Sequence, residues 1–179
     1  MERIISLVKK TLFIIVGTLL FVFFKYIKEN INYVISSIIL MYGVLGLLEC
    51  IAKKEYKSHL SFFVFNILLI TIGTIVFFLK GAEYFAYVCI ISAVWSIIRE
   101  EYEIADFILR PSLNIILRIL GLIASVVVIV FSIILIFNPT MHHAEIHYIL
   151  LGVELILTVL LPMLNKLLFK ENKTNENSN

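Results

Sequence analysis

Apolar residues fill this chain in six long runs, and polar or charged residues cluster in the breaks between them. The runs cover residues 11–27, 31–51, 59–79, 82–98, 113–137 and 146–164. A hydrocarbon core of about 30 Å takes about 20 apolar residues as an α-helix, so each run predicts one transmembrane helix. Helices follow from the solvent: in lipid each backbone N–H and C=O must be paired within its own segment, and these runs are too long for barrel strands. The first and fourth runs are short and lean on snorkelling Lys25 and Lys80 at their ends. The fifth is long and holds Arg118, which places its first turns in the interface. The predicted fold is all-α, a polytopic six-helix transmembrane domain over 11–165, with a cytoplasmic N-terminus at 1–10 and a cytoplasmic polar tail at 166–179.

Composition agrees. The chain is 61% hydrophobic and 16% charged over 179 residues, against about 25% charged in soluble domains. That excludes an ordinary soluble enzyme, a disordered chain and a disulfide scaffold. The net charge of +2 gives nucleic acid no footing, but its distribution is informative. One side of the bilayer receives Arg3, Lys9, Lys10, Lys53, Lys54, Lys57, Arg99, Arg110, Arg118, Lys166, Lys170 and Lys173. The other receives only Lys25, Lys28 and Lys80. Cytoplasmic loops carry the excess of Lys and Arg, so both termini are expected inside. Tyr26, Tyr33, Tyr84, Tyr87 and Tyr148 then fall at the outer rim, and Tyr56 and Tyr102 at the inner rim. Signal-peptide cleavage competes with a first span. No small-x-small site follows the apolar run, which ends in Lys25-Tyr26-Ile27-Lys28. Cys50 and Cys89 belong at different depths and are read as separate structural thiols.

An internal repeat is also visible. Residues 14–21, containing Gly17-Thr18, align without gaps on 70–77, containing Gly73-Thr74, and more weakly on 128–135, containing Phe131-Ser132. Each copy opens a helix pair, which predicts three αα-hairpins related by an axis along the membrane normal. Chance matching of two apolar helices is the competing explanation. In the third hairpin Ile136-Phe137-Asn138-Pro139 makes the turn and Ile149-Leu150-Leu151-Gly152-Val153 opens the return helix. With these features the chain resembles the HdeD-like acid-resistance membrane proteins, the short-repeat family of unknown function. The first two hairpins keep Gly17 and Gly73 but carry Lys25 and Lys80 where that family's Pro would stand. The resemblance implies a six-span bundle linked to acid stress, with no catalytic signature to transfer.

Glu154 is the leading candidate for chemistry. It lies near mid-bilayer in the sixth run, where a charge costs about 2.5–3.5 kcal/mol on insertion scales. It is read either as a proton-binding site for coupled transport or as a neutral acid bonded to Thr158 or a carbonyl, with no basic partner expected at its depth. Residues 138–148 form an outer loop holding His142, His143, Glu145 and His147, a candidate pH sensor or weak metal site set against a plain wet loop. Glu49 and Glu100 are expected as solvated interfacial acids. Arg99-Glu100-Glu101 fails the Glu-Glu-x-x-x-Arg pattern of CAAX-type proteases, because Ala105 stands at the Arg position. Residues 102–118 are expected as an interfacial helix leading into the fifth span. Gly43-x-x-Gly46, Ser92-x-x-x-Ser96 and Gly121-x-x-Ala124 offer surfaces for close helix contact. Pro162 is expected to kink the last helix, and Asn172-Lys173-Thr174 is a sequon on the cytoplasmic side.

These features predict a non-enzymatic multi-pass protein of the cell membrane that uses no cofactor or metal. Its partners are the lipid bilayer and a second copy of the chain, with no role for nucleic acid. Acid or envelope stress tolerance and proton-coupled transport through Glu154 are the two functional readings.

Overall fold

The computed structural model describes residues 2–52, 60–79, 84–109 and 113–169. Lys53, Lys54, Tyr56, Lys57, Lys80, Arg110, Pro111, Lys170 and the sequon at Asn172 lie outside them. Seven α-helices follow in order: α1 Glu2–Val22, α2 Phe24–Ile27, α3 Ile31–Ala52, α4 Leu60–Phe78, α5 Phe85–Leu109, α6 Ile115–Phe137 and α7 Met141–Phe169. The six long ones alternate in direction. Lys9 near the start of α1 meets Glu49 near the end of α3, and Asn32 at the start of α3 donates to the Leu79 carbonyl after α4 at 2.8 Å.

The bundle is inside out by the standards of a soluble protein. On α6 the outer face carries Ile116, Ile123, Val130 and Phe137, while Gly121, Ser125, Val128 and Ser132 face inward. Large β-branched side chains outside and small or polar ones inside suit lipid, where close backbone packing rather than hydrophobic burial joins helices. Five helices among the described residues, α1, α3, α4, α6 and α7, are long and apolar enough to cross a membrane. The sixth, α5, has 25 residues, but Arg99, Glu100, Glu101, Glu103 and Asp106 crowd its second half. This is the architecture of a multi-pass integral membrane protein.

The closest helix pairs are α3 with α4, α1 with α7, α5 with α6, and α6 with α7. Of the three expected hairpins only the third packs on itself, as α6 with α7; α1 touches α3 lightly, α4 is not a close neighbour of α5, and α4, α6 and α1 lie instead against α3, α5 and α7. Glycines mark these seams. A methyl group at Gly17 would stand 2.6 Å from the Gly152 carbonyl oxygen, and one at Gly152 would stand 2.7 Å from that of Gly17. Backbone meets backbone there, flanked by the Ile156 and Leu20 side chains, so any side chain at either glycine would push α1 and α7 apart. Gly73 meets Leu40 across α3 and α4, and Gly121 meets Phe107 across α5 and α6.

Several expected boundaries move. The first run starts earlier, at Glu2, and is broken at Phe23 before the short α2. The fourth run does not stop at Ile98, because α5 continues ten residues past Arg99 through the stretch expected as an interfacial helix. The last run begins at Met141, so most of the expected outer loop is helix. α7 also passes through Pro162 to Phe169, into the expected tail.

Candidate functional site

Two helices supply the centre of the site. On α5 Cys89, Ser92, Ala93, Ser96, Arg99 and Glu100 recur at helical spacing and are all buried. The serine hydroxyls of this stripe are satisfied locally, Ser92 donating to the Cys89 carbonyl at 2.9 Å and Ser96 to the Ser92 carbonyl at 2.9 Å. The facing stripe on α7 holds His147, Leu151, Glu154 and Thr158.

Arg99 and Glu154 meet across this seam. Nη1 of Arg99 lies 2.5 Å from Oε2 of Glu154, and the same nitrogen pairs with the neighbouring Glu100. Exposure is 1% for Arg99, 0% for Glu100 and 2% for Glu154, so all three charges sit out of solvent. Thr158 donates to Oε1 of Glu154 at 2.6 Å and accepts from Nη2 of Arg99 at 3.4 Å. Glu103, one turn on, lies 3.9 Å from the guanidinium. Phe13 of α1 covers its other side, with the guanidinium carbon 5.4 Å from the ring centroid. One cation thus serves two fully buried carboxylates. A buried charge is tolerated when it is paired or neutralised, and one proton shared by Glu100 and Glu154 makes the trio neutral.

The expectations for these residues change accordingly. Glu154 has its basic partner, and Glu100 is not a solvated interfacial acid. Arg99 is not a boundary charge. The reason is the same for each: α5 continues past Arg99, which brings the guanidinium to the middle of its helix and level with the middle of α7. A signal existed in the sequence. Ser92, Ser96, Arg99 and Glu103 share one face of α5, and a face that is small and polar over three turns leads into the bundle.

A cavity of about 1180 Å³ reaches this cluster from the end of the bundle where α1 starts and α5 and α7 finish. Its wall includes Lys9, Phe13, Tyr42, Glu103, Thr158 and Pro162. Proline has no N–H to offer, so Pro162 leaves the Thr158 carbonyl without its usual helical donor beside this opening. Lys9 reaches across the cavity wall to 4.0 Å from Glu49, which is half-buried there rather than freely solvated.

A second polar layer lies nearer the other end. His147 is fully buried, its Nε2 3.4 Å from Ser96 and its Nδ1 3.4 Å from Ser132 of α6. Tyr148 beside it shares a 2.7 Å hydrogen bond with Ser92. His142 and Glu145 are exposed on the first turns of α7, and His143 caps the turn with Nδ1 2.9 Å from the Asn138 carbonyl. The four expected loop residues are thus not gathered on one surface. Among the described residues no three His, Cys, Asp or Glu side chains converge as metal ligands.

No family model, curated protein or solved structure matches the chain.

Proposed function

We propose that the protein is a six-span, N-in/C-in carrier of the cell membrane, non-enzymatic, that couples a small solute to protons through Glu154. One observation carries this reading: the cavity is walled by Thr158, whose hydroxyl is bonded to Glu154. An opening thereby ends one hydrogen bond from a buried acid that shares Arg99 with a second acid. Such a group has a reason to take up and release a proton, and a route by which solute and proton affect each other. The excess of Lys and Arg on the cavity side supports a mouth that opens to the cytoplasm.

The test is electrical. Proteoliposomes on a solid-supported membrane are exposed to amino acids, sugars, organic anions and organic cations under a proton gradient. At least one class is expected to evoke a current that Glu154→Gln abolishes. Currents from no class, or equal currents in the variant, overturn the proposal.

A second reading draws on the glycine seams, where Gly17 and Gly73 of the aligned segments each stand at a close helix contact. An HdeD-like bundle of three hairpin repeats would contribute to acid or envelope stress tolerance, as a single copy or a homo-oligomer. A deletion strain is then expected to lose survival at low external pH and regain it with the wild-type gene. Complementation by a variant with His142, His143 and His147 all changed to Gln separates the bundle from its histidines.

A further inference from the structure

The cavity carries an occupant of its own. The Lys9 ammonium lies 5.3 Å from the Tyr42 ring centroid and 5.8 Å from that of Phe13. These rings stack on each other, 6.2 Å apart and within 4° of parallel, and Glu49 lies 4.0 Å from the same ammonium. Two aromatic faces with a carboxylate beside them form the chemistry that holds an organic ammonium. The wall elsewhere repeats the theme, with the aromatic rings of Phe65 and Tyr102 packed 6.3 Å apart and with Glu103 and Asp106 nearby. Lysines 9 and 10 face three acids across this wall. The aromatic faces select for a cation over an anion.

The geometry points to an organic cation as the ligand of this cavity, bound on Tyr42 and Phe13 in place of the Lys9 ammonium. Lys9 acts as a tethered stand-in for the substrate. It holds the aromatic faces and Glu49 in a cation-ready arrangement while the cavity is empty, and it swings towards the mouth when a free cation arrives. Its side chain is only 35% exposed and stands on the first turns of α1, a position from which it can leave without moving the helix. The arriving charge then sits on one side of Phe13 with Arg99 on the other, at 5.4 Å. Two cations sharing one ring repel, and this links ligand binding to the protonation of Glu100 and Glu154. The inference rests on the carrier reading for its purpose, but not for its measurement.

The probes are tetraphenylphosphonium and its isosteric anion tetraphenylborate, titrated calorimetrically into the full chain in detergent micelles, with empty micelles subtracted. Tetraphenylphosphonium is expected to bind saturably and at least tenfold more tightly than tetraphenylborate. Lys9→Gln removes the internal competitor and is expected to tighten binding about threefold. Tyr42→Leu is expected to weaken it about fivefold, and Tyr42→Phe, which keeps the ring face, to restore it. Absence of saturable binding, equal affinity for the two probes, weaker binding by Lys9→Gln, or indifference to Tyr42→Leu each overturns the inference. Binding without any Glu154-dependent current leaves the cation site standing and removes the carrier. A Glu154-dependent current evoked only by anions or neutral solutes does the reverse.

Discussion

Two polar layers join α5 to α7 and are built to opposite rules. On α7 they are seven residues apart, His147 and Glu154, about 10.5 Å along the axis. The His147 layer is neutral and closed, a ring between two serines with Tyr148 and Ser92 bonded alongside. The Glu154 layer is charged, with more carboxylate than cation, and it abuts an open cavity. Hydroxyls can be sealed between helices because local backbone carbonyls satisfy them, and here they face the two imidazole nitrogens. A trio of charges needs each partner in place, and breaking one pair strands the others. The proposed carrier therefore rests on the second layer and not on the first.

Arg99→Met should give the largest effect, because it strands two buried carboxylates. A loss of about 3–5 kcal/mol is expected, read as the midpoint of unfolding in detergent. Adding Glu100→Gln and Glu154→Gln to Arg99→Met removes the stranded charge and is expected to recover most of it. A loss that persists in the triple variant would mean that guanidinium packing on Phe13, not charge, dominates. Next comes Tyr148→Phe, which deletes the 2.7 Å bond to Ser92 and should cost about 1 kcal/mol. Glu154→Gln alone should cost less than about 1 kcal/mol, because Arg99 keeps Glu100 and Thr158 keeps an acceptor. A cost near that of Arg99→Met would refute the shared proton and equalise the acid with the base. Ser132→Ala is expected to be smallest, about 0.5 kcal/mol, since its contact with His147 is 3.4 Å long and its hydroxyl is satisfied by the Val128 carbonyl.

The same contrast explains which parts of the fold were legible in the sequence. The runs at 31–51, 59–79 and 113–137 differ from α3, α4 and α6 by no more than two residues at either end. There, apolar length alone decides where a helix stops. Legibility fails at α5 and α7, where a charged residue does not mark water. Arg99 and Glu100 close the fourth apolar run, yet in the bundle Arg99 pairs with both Glu100 and Glu154, so the helix passes through them. His142 and His143 interrupt the last apolar run before Ile146, although nothing in a histidine forbids a helix. Glu154 could be singled out because an isolated acid in an apolar run is conspicuous. Its partner could not, because the match between mid-α5 and mid-α7 depends on where both helices begin.

The backbone contact of Gly17 with Gly152 joins the first long helix to the last, and this has a consequence for biogenesis. Synthesis at about 5–20 residues per second means that α1 waits roughly 6–24 s for its neighbour to emerge. Through that interval the α1 groove stands open to lipid, or to whatever insertion machinery shelters it. Arg99 also enters the bilayer before Glu154 has been translated, with Glu100 beside it as interim counter-charge. The adjacency of those two residues in the chain is thus an escort: it lets a cation cross the insertion step before its final partner exists.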